Sequence, residues 1–184
     1  MSDVRIRPLR DGDWDALVAL EERAYAARGL SEGREALRSR HRASPDTCFA
    51  LEHAGRLGGY LLALPYPPDR CPDLAAVERG APHPSNLHVH DVVVAEELRG
   101  RGLGRRLLHH VHGTARAAGY RTVALVAVGG TEVLWASLGY RARPGIGLPE
   151  SYGSRAVYMA MPLHRASPPP TDPFVGPVSR AEVG

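Results

Sequence analysis

Lysine is absent: all 23 basic residues of this 184-residue chain are arginine. A phosphate-binding loop of the G-x-x-x-x-G-K-[ST] type needs its lysine, and Schiff-base or pyridoxal chemistry needs a lysine amine, so both classes are excluded. Cysteine is scarce. Cys48 and Cys71, 23 positions apart, are too few for a disulfide scaffold and match no zinc spacing. They suit a reducing compartment, and a cytoplasmic location is expected. No stretch approaches the roughly 18 apolar residues of a membrane helix. Met1 to Arg10 lacks the apolar core of a secretory signal. There is no G-x-S-x-G elbow. A net charge of +3 is a weak field over this length, so neither nucleic acid nor a membrane is expected as partner.

What is present reads as one domain over residues 1–164 and a proline-rich flexible tail over 165–184. Val4 to Leu9 alternates as a strand. Trp14, Leu17, Val18, Ala24 and Tyr25 make a helical stripe after the acids Asp11 and Asp13. Ser31 is placed to cap a second helix through Arg42, with Leu37 inward. Thr47–Glu52 and Leu57–Leu64 form a hairpin about Ala54-Gly55-Arg56. The connection from Pro65 to Asn86 is long and carries six prolines; Pro72 and Gly80 would bound a helical turn within it. Leu87–Ala95 is a Val-rich strand. Leu103, Leu107, Leu108, Val111, Ala115 and Ala118 stripe a helix closed by Gly119. Thr122–Val128 is an apolar strand, Thr131 caps a short helix to Leu138, and Tyr140–Ala142 and Ala156–Met161 are the last strands. This order implies a mixed sheet between helices, an α/β three-layer arrangement.

The turn from Val94 to Leu107 carries the clearest chemistry. A strand feeds Arg99-Gly100-Arg101-Gly102-Leu103-Gly104-Arg105-Arg106, and this run opens a helix. The first amides of that helix have no intrahelical partner and carry the positive end of the dipole. Glycines at 100, 102 and 104 admit a ligand to the backbone, and residues 99–106 contain four arginines and no acid. The arrangement suits a pyrophosphate. The spacing is not that of the dinucleotide fingerprint G-x-G-x-x-G.

Arg99-x-x-Gly102-x-Gly104 after an apolar strand resembles the [Q/R]-x-x-G-x-[G/A] motif of the GNAT family of N-acetyltransferases. The resemblance extends over roughly Val4 to Leu163 and includes Leu134-Trp135-x-x-Leu138-Gly139-Tyr140 and Tyr158-Met159-x-Met161-Pro162-Leu163. It implies a GNAT-like α/β/α fold whose mixed, mostly antiparallel sheet is bulged in its fourth strand and splayed between the fourth and fifth. It also implies acetyl-CoA as cosubstrate, with no metal. Val92, Val93 and Val94 would hold pantetheine like an added strand, one amide facing the thioester oxygen. Arg99, Gly100, Arg101, Gly102, Leu103, Gly104 and Arg105 would cradle the diphosphate, and Trp135 is a further cofactor-binding residue. Such families often dimerise, so a homodimer is a possible assembly.

Leu87-His88-Val89-His90-Asp91 places two histidines on one face of a strand. Imidazole can deprotonate an amine near neutral pH, but paired histidines also serve as structural groups or metal ligands. The arylalkylamine N-acetyltransferase branch resembles this chain in carrying an H-x-H pair here, which implies His90 and then His88 as catalytic groups; Asp91 points to the opposite face. Where the family has a tyrosine acid, this chain has Trp135, which cannot deliver a proton. Tyr152 is a substitute, or water protonates the thiolate. The expected function is acetyl transfer to the primary amine of a small molecule by direct attack in a ternary complex. The alternative is an acyl-CoA-binding module with impaired catalysis. His109, His110 and His112 are read as a solvated helix face.

Overall fold

The computed structural model describes residues 4–79 and 85–163; the expectations for Gly80 and for the 165–184 tail lie outside them. Eleven elements follow the expected order: β1 (Val4–Pro8), α1 (Trp14–Tyr25), α2 (Arg34–Ala43), β2 (Phe49–His53), β3 (Arg56–Pro65), β4 (Asn86–Val94), α3 (Leu103–Ala117), β5 (Thr122–Ala127), α4 (Glu132–Ser137), β6 (Arg141–Ala142) and β7 (Val157–Pro162). One seven-stranded sheet runs β1-β2-β3-β4-β5-β7-β6. Every pairing is antiparallel except β4 with β5.

The hairpin turn places Ala54 and Gly55 at φ 51° and 74°, the left-handed pair that matches strand twist in a two-residue loop. Strand alternation then sorts the two helical layers. Tyr60 of β3 directs its hydroxyl to Asp91, which also binds Tyr25 at the end of α1. Leu61 points to the other face together with its cross-strand partner Phe49, whose ring meets His110 of α3 edge-on. Trp14, Leu17 and Leu37 fill one layer, and Leu103, Leu107, Val111 and Ala115 the other.

Two departures in the sheet build the site. The β3–β4 register jumps from Leu62↔Asp91 to Ala63↔Val89, so His90 is a bulged residue without a partner. A bulge re-aims side chains. The β4–β5 pairing covers only Asn86–His88 against Thr122–Ala124. Beyond His88 the two strands diverge, and the β5-facing edge of β4 has no strand partner.

Four local expectations are corrected. The second helix starts at Arg34 with Gly33 before it; Ser31 donates instead to Glu21, at 2.6 Å. Residues 72–79 form turns and no helix. Ala118 is exposed. His112 is buried, and its Nε2 lies 2.7 Å from the Tyr140 hydroxyl; only His109 and His110 of the trio are exposed.

Burial, with the charges of Arg116 and His109 behind it, lowers the His112 pKa to about 4, against an ordinary value of about 6.5. The unfolded chain therefore binds a proton that the folded chain refuses between these values. The stabilising contribution is complete above about pH 6.5 and is lost as pH falls towards 4. It amounts to about 2–3 kcal/mol. His112→Gln keeps a partner for Tyr140 and cannot titrate. The drop in Tm between about pH 7.5 and about pH 5 is expected to shrink in this variant; identical drops would contradict the assignment.

Candidate active site

A cleft of about 660 Å³ opens where β4 gives way to α3, a size that suits a cofactor-scale ligand. Val92, Val93, Val94, Arg99, Gly100, Gly102, Leu103, Gly104, Arg105 and Trp135 line it. Of the residues expected at a diphosphate, Arg101 does not line it; it is exposed. Gly102 precedes the helix at φ 72°, with nothing within 4 Å of where a Cβ would stand. The first intrahelical bond comes from the Arg106 amide to Gly102 O, so the amides before it are free to face a ligand. Arg99 donates to Val94 O at 3.2 Å, folding over the end of β4. Arg23 and Arg28 of the α1 end add positive charge to the rim, and no local pattern in the sequence marks them.

From this cleft two smaller cavities lead into the splay. One, of about 210 Å³, is walled by Tyr25, Arg28, His90, Asp91, Val92, Leu125, Val126, Leu134 and Trp135, among others. The innermost, of about 50 Å³, lies between Tyr25, Leu30, Glu32, Leu74, His90, Asp91, Val126, Val128 and Tyr152.

His90 contacts Glu32 of the α1–α2 loop, Nε2 to Oε1, at 2.6 Å. Glu32 is held in turn by Arg40 at 2.9 Å. Burial pushes the Glu32 carboxyl up, but the His90 and Arg40 charges and hydrogen bonds overcome this and leave it below its ordinary value. An ionised Glu32 accepts the hydrogen bond from Nε2–H, which leaves the lone pair of the neutral ring on Nδ1. That atom is buried without a hydrogen-bond partner among the described residues. Sequence reasoning missed Glu32, because its partner lies 58 residues away.

His88 sits deeper, its ring 6.0 Å from that of His90. Burial, then the His90 and Arg40 charges, drives its pKa well below the ordinary value, so it is neutral. It lines none of the three cavities.

The acceptor end is roofed by three loops tied to one another. Buried Arg40 binds Glu32, Glu78 and the carbonyl of Asp73. Ser151 donates to Asp73 at 2.6 Å and accepts from the Leu74 amide. Tyr152 donates its hydroxyl proton to Pro72 O at 2.9 Å, so its ring forms wall while its proton is engaged. Burial pushes that phenol far above its ordinary pKa. Trp135 spends its indole N–H on Thr131 Oγ1 at 3.2 Å. Among the described residues no cluster of three or more metal-ligating side chains occurs, and no helix is long and apolar enough to cross a membrane.

A 51-residue segment is 47% identical to N-alpha-acetyltransferase 80 of Mus musculus, spanning 28% of this chain and 16% of that protein. The fold is similar to that of the loading GNATL domain of CurA from Lyngbya majuscula, with a TM-score of 0.74 and 16% identity over 87% of this chain and 98% of that one. It is also similar to N-acetylglutamate synthase from Neisseria gonorrhoeae complexed with coenzyme A and N-acetyl-glutamate. There the TM-score is 0.68 and the identity 23%, over 90% of this chain and 36% of that one. Residues 14–136 match the acetyltransferase (GNAT) family, and the chain belongs to it.

Proposed function

We propose that the protein transfers an acetyl group from acetyl-CoA to the primary amine of a small molecule, by direct attack within a ternary complex. The observation that carries this reading is the run of three cavities with shared lining residues, from the free amides ahead of α3, along the unpaired edge of β4, to His90. Val92 to Val94 offer main-chain groups to pantetheine as an adjoining strand would. A preorganised amide facing the thioester oxygen stabilises the developing oxyanion, by roughly 2.7–4 kcal/mol in acyl transfer. His90 takes a proton from the acceptor ammonium, and Glu32 stabilises the imidazolium that results. The freed nitrogen bonds to the thioester carbon and the C–S bond breaks with its electron pair on sulfur; the second nitrogen proton is then lost to solvent or to the departing thiolate, which leaves the neutral amide. His88 backs the ring of His90, and Tyr152 forms the far wall.

The small innermost cavity and its tied roof support a compact acceptor end. Leu30, Leu74, Val126 and Val128 suit an apolar stem, while Glu32 and Asp91 suit a cationic amine. The name of the matched relative, an N-alpha-acetyltransferase, favours a second reading in which the acceptor is an α-amino group. Thiol release is therefore to be followed with acetyl-CoA against a panel of aryl- and alkylamines, amino-acid amides and short peptides. Turnover confined to small amines is expected. Turnover confined to peptides would establish the second reading. Silence across the panel, with tight coenzyme A binding, would contradict both and favour a binding module.

A further inference from the structure

Arg23, Arg28, Arg99 and Arg105 all line the coenzyme cleft, and of these only Arg28 also lines the splay cavity, together with His90. No residue of the glycine turn reaches that cavity, so the diphosphate donors stop short of it. Arg28 ends the short turn Ala26–Arg28 after α1 and is exposed. Its side chain crosses to the β5–α4 loop: a Cβ on Gly129 would stand 2.8 Å from Arg28 Nη1 and 3.4 Å from its Cζ. Only a residue without a side chain leaves the guanidinium that berth. Among the described residues Arg28 belongs to no ion pair. The opposite charge lies at the other end. Glu32, held ionised by His90 and Arg40, walls the innermost cavity. Asp91 is already engaged by the Tyr25 and Tyr60 hydroxyls.

We propose that the acceptor is a free α-amino acid with a small apolar side chain, and that Arg28 binds its carboxylate. This rests on the acetyl-transfer reading and names its substrate class. The ammonium lies against His90 and Glu32, where the base takes its proton. The carboxylate turns to Arg28, whose planar fork can hold both oxygens through parallel N–H donors. Arg28 and His90 wall one cavity of about 210 Å³, so the two charged ends of the acceptor must be close, as they are when one carbon separates them. The side chain enters between Leu30, Leu74, Val126 and Val128. That innermost space is about 50 Å³, room for about three non-hydrogen atoms, which favours a short branched stem over a long or aromatic one. Arg28 touches the substrate away from the reacting atoms and sets specificity. An amine without the carboxylate meets the same base but leaves the guanidinium to solvent.

The test compares valine, valinamide and isobutylamine, which share the stem and differ at the carboxylate. In the wild-type protein kcat/KM for valine is expected to exceed that for either analogue by about 30-fold. Arg28→Gln should erase most of this advantage, chiefly through the KM for valine, while isobutylamine turnover and coenzyme A affinity stay within about threefold. Arg28→Lys, a point charge without the fork, should recover only part of it. A second readout needs no turnover: valine is titrated calorimetrically into protein saturated with coenzyme A, and Arg28→Gln should weaken its binding about 30-fold. Equal kcat/KM for valine and isobutylamine would overturn the proposal and leave acetyl transfer standing. A loss in Arg28→Gln that falls equally on all three acceptors and on coenzyme A affinity would assign Arg28 to the coenzyme and overturn it too. A wild-type protein that acetylates none of the three, yet binds valine through Arg28, supports the carboxylate site and counts against acetyl transfer alone. Valine that does not bind the coenzyme-saturated protein overturns the proposal, whichever amines are acetylated.

Discussion

Gly102→Asp is expected to weaken coenzyme A binding by at least about 100-fold, or roughly 3 kcal/mol. Two effects combine. Gly102 stands at φ 72° with open space where its side chain would project, so a carboxylate there occupies the cleft with only modest backbone strain. Its charge sits at the positive end of α3 and among the arginines of the rim, where it satisfies the donors that would otherwise meet phosphate and repels the phosphate itself. Gly102→Ala separates the terms. It carries comparable strain without charge, and a loss of about tenfold or less is expected. Calorimetric titration with coenzyme A measures both. Equal, wild-type-like affinities would mean that the diphosphate binds elsewhere.

His90→Ala is expected to lower kcat by about 10²- to 10³-fold. Coenzyme A affinity should stay within about twofold, because His90 lies beyond the coenzyme cleft and makes none of the cradle contacts. The dependence of kcat on pH should change in the variant. Activity should then rise only as the free amine does, towards the alkaline range typical of alkylamines. Glu32→Gln tests the orientation. It keeps the shape but removes the charge that holds Nε2–H and stabilises the imidazolium, so it should reduce kcat less than the loss of the ring itself. A His90→Ala profile that superimposes on the wild type would exclude His90 as the base.

The parts of this protein legible in the sequence are those whose causes are local. The glycine turn and its arginines declare a helix N-terminus open to anions, because the glycine spacing and the lack of acid are both contiguous. The Leu103-Leu107-Val111-Ala115 stripe and the Ala54-Gly55 turn are equally local. The failures have tertiary causes. Ser31 has the chemistry of a helix cap, yet buried Glu21 captures it together with the Glu32 amide. His112 is drawn inward by Tyr140, 28 residues on. The Glu32–His90 and Tyr25–Asp91 contacts join residues 58 and 66 apart. Only the sheet order and the bulge at His90 bring them together, and no spacing rule on one segment could announce them.

The direct measurement is the structure of the protein with acetyl-CoA bound. The account requires phosphate oxygens on the amides of residues 102–105, pantetheine along Val92–Val94, and the acetyl carbon beside His90. A coenzyme lying outside the β4–β5 splay, or engaging the arginines without those amides, would contradict it.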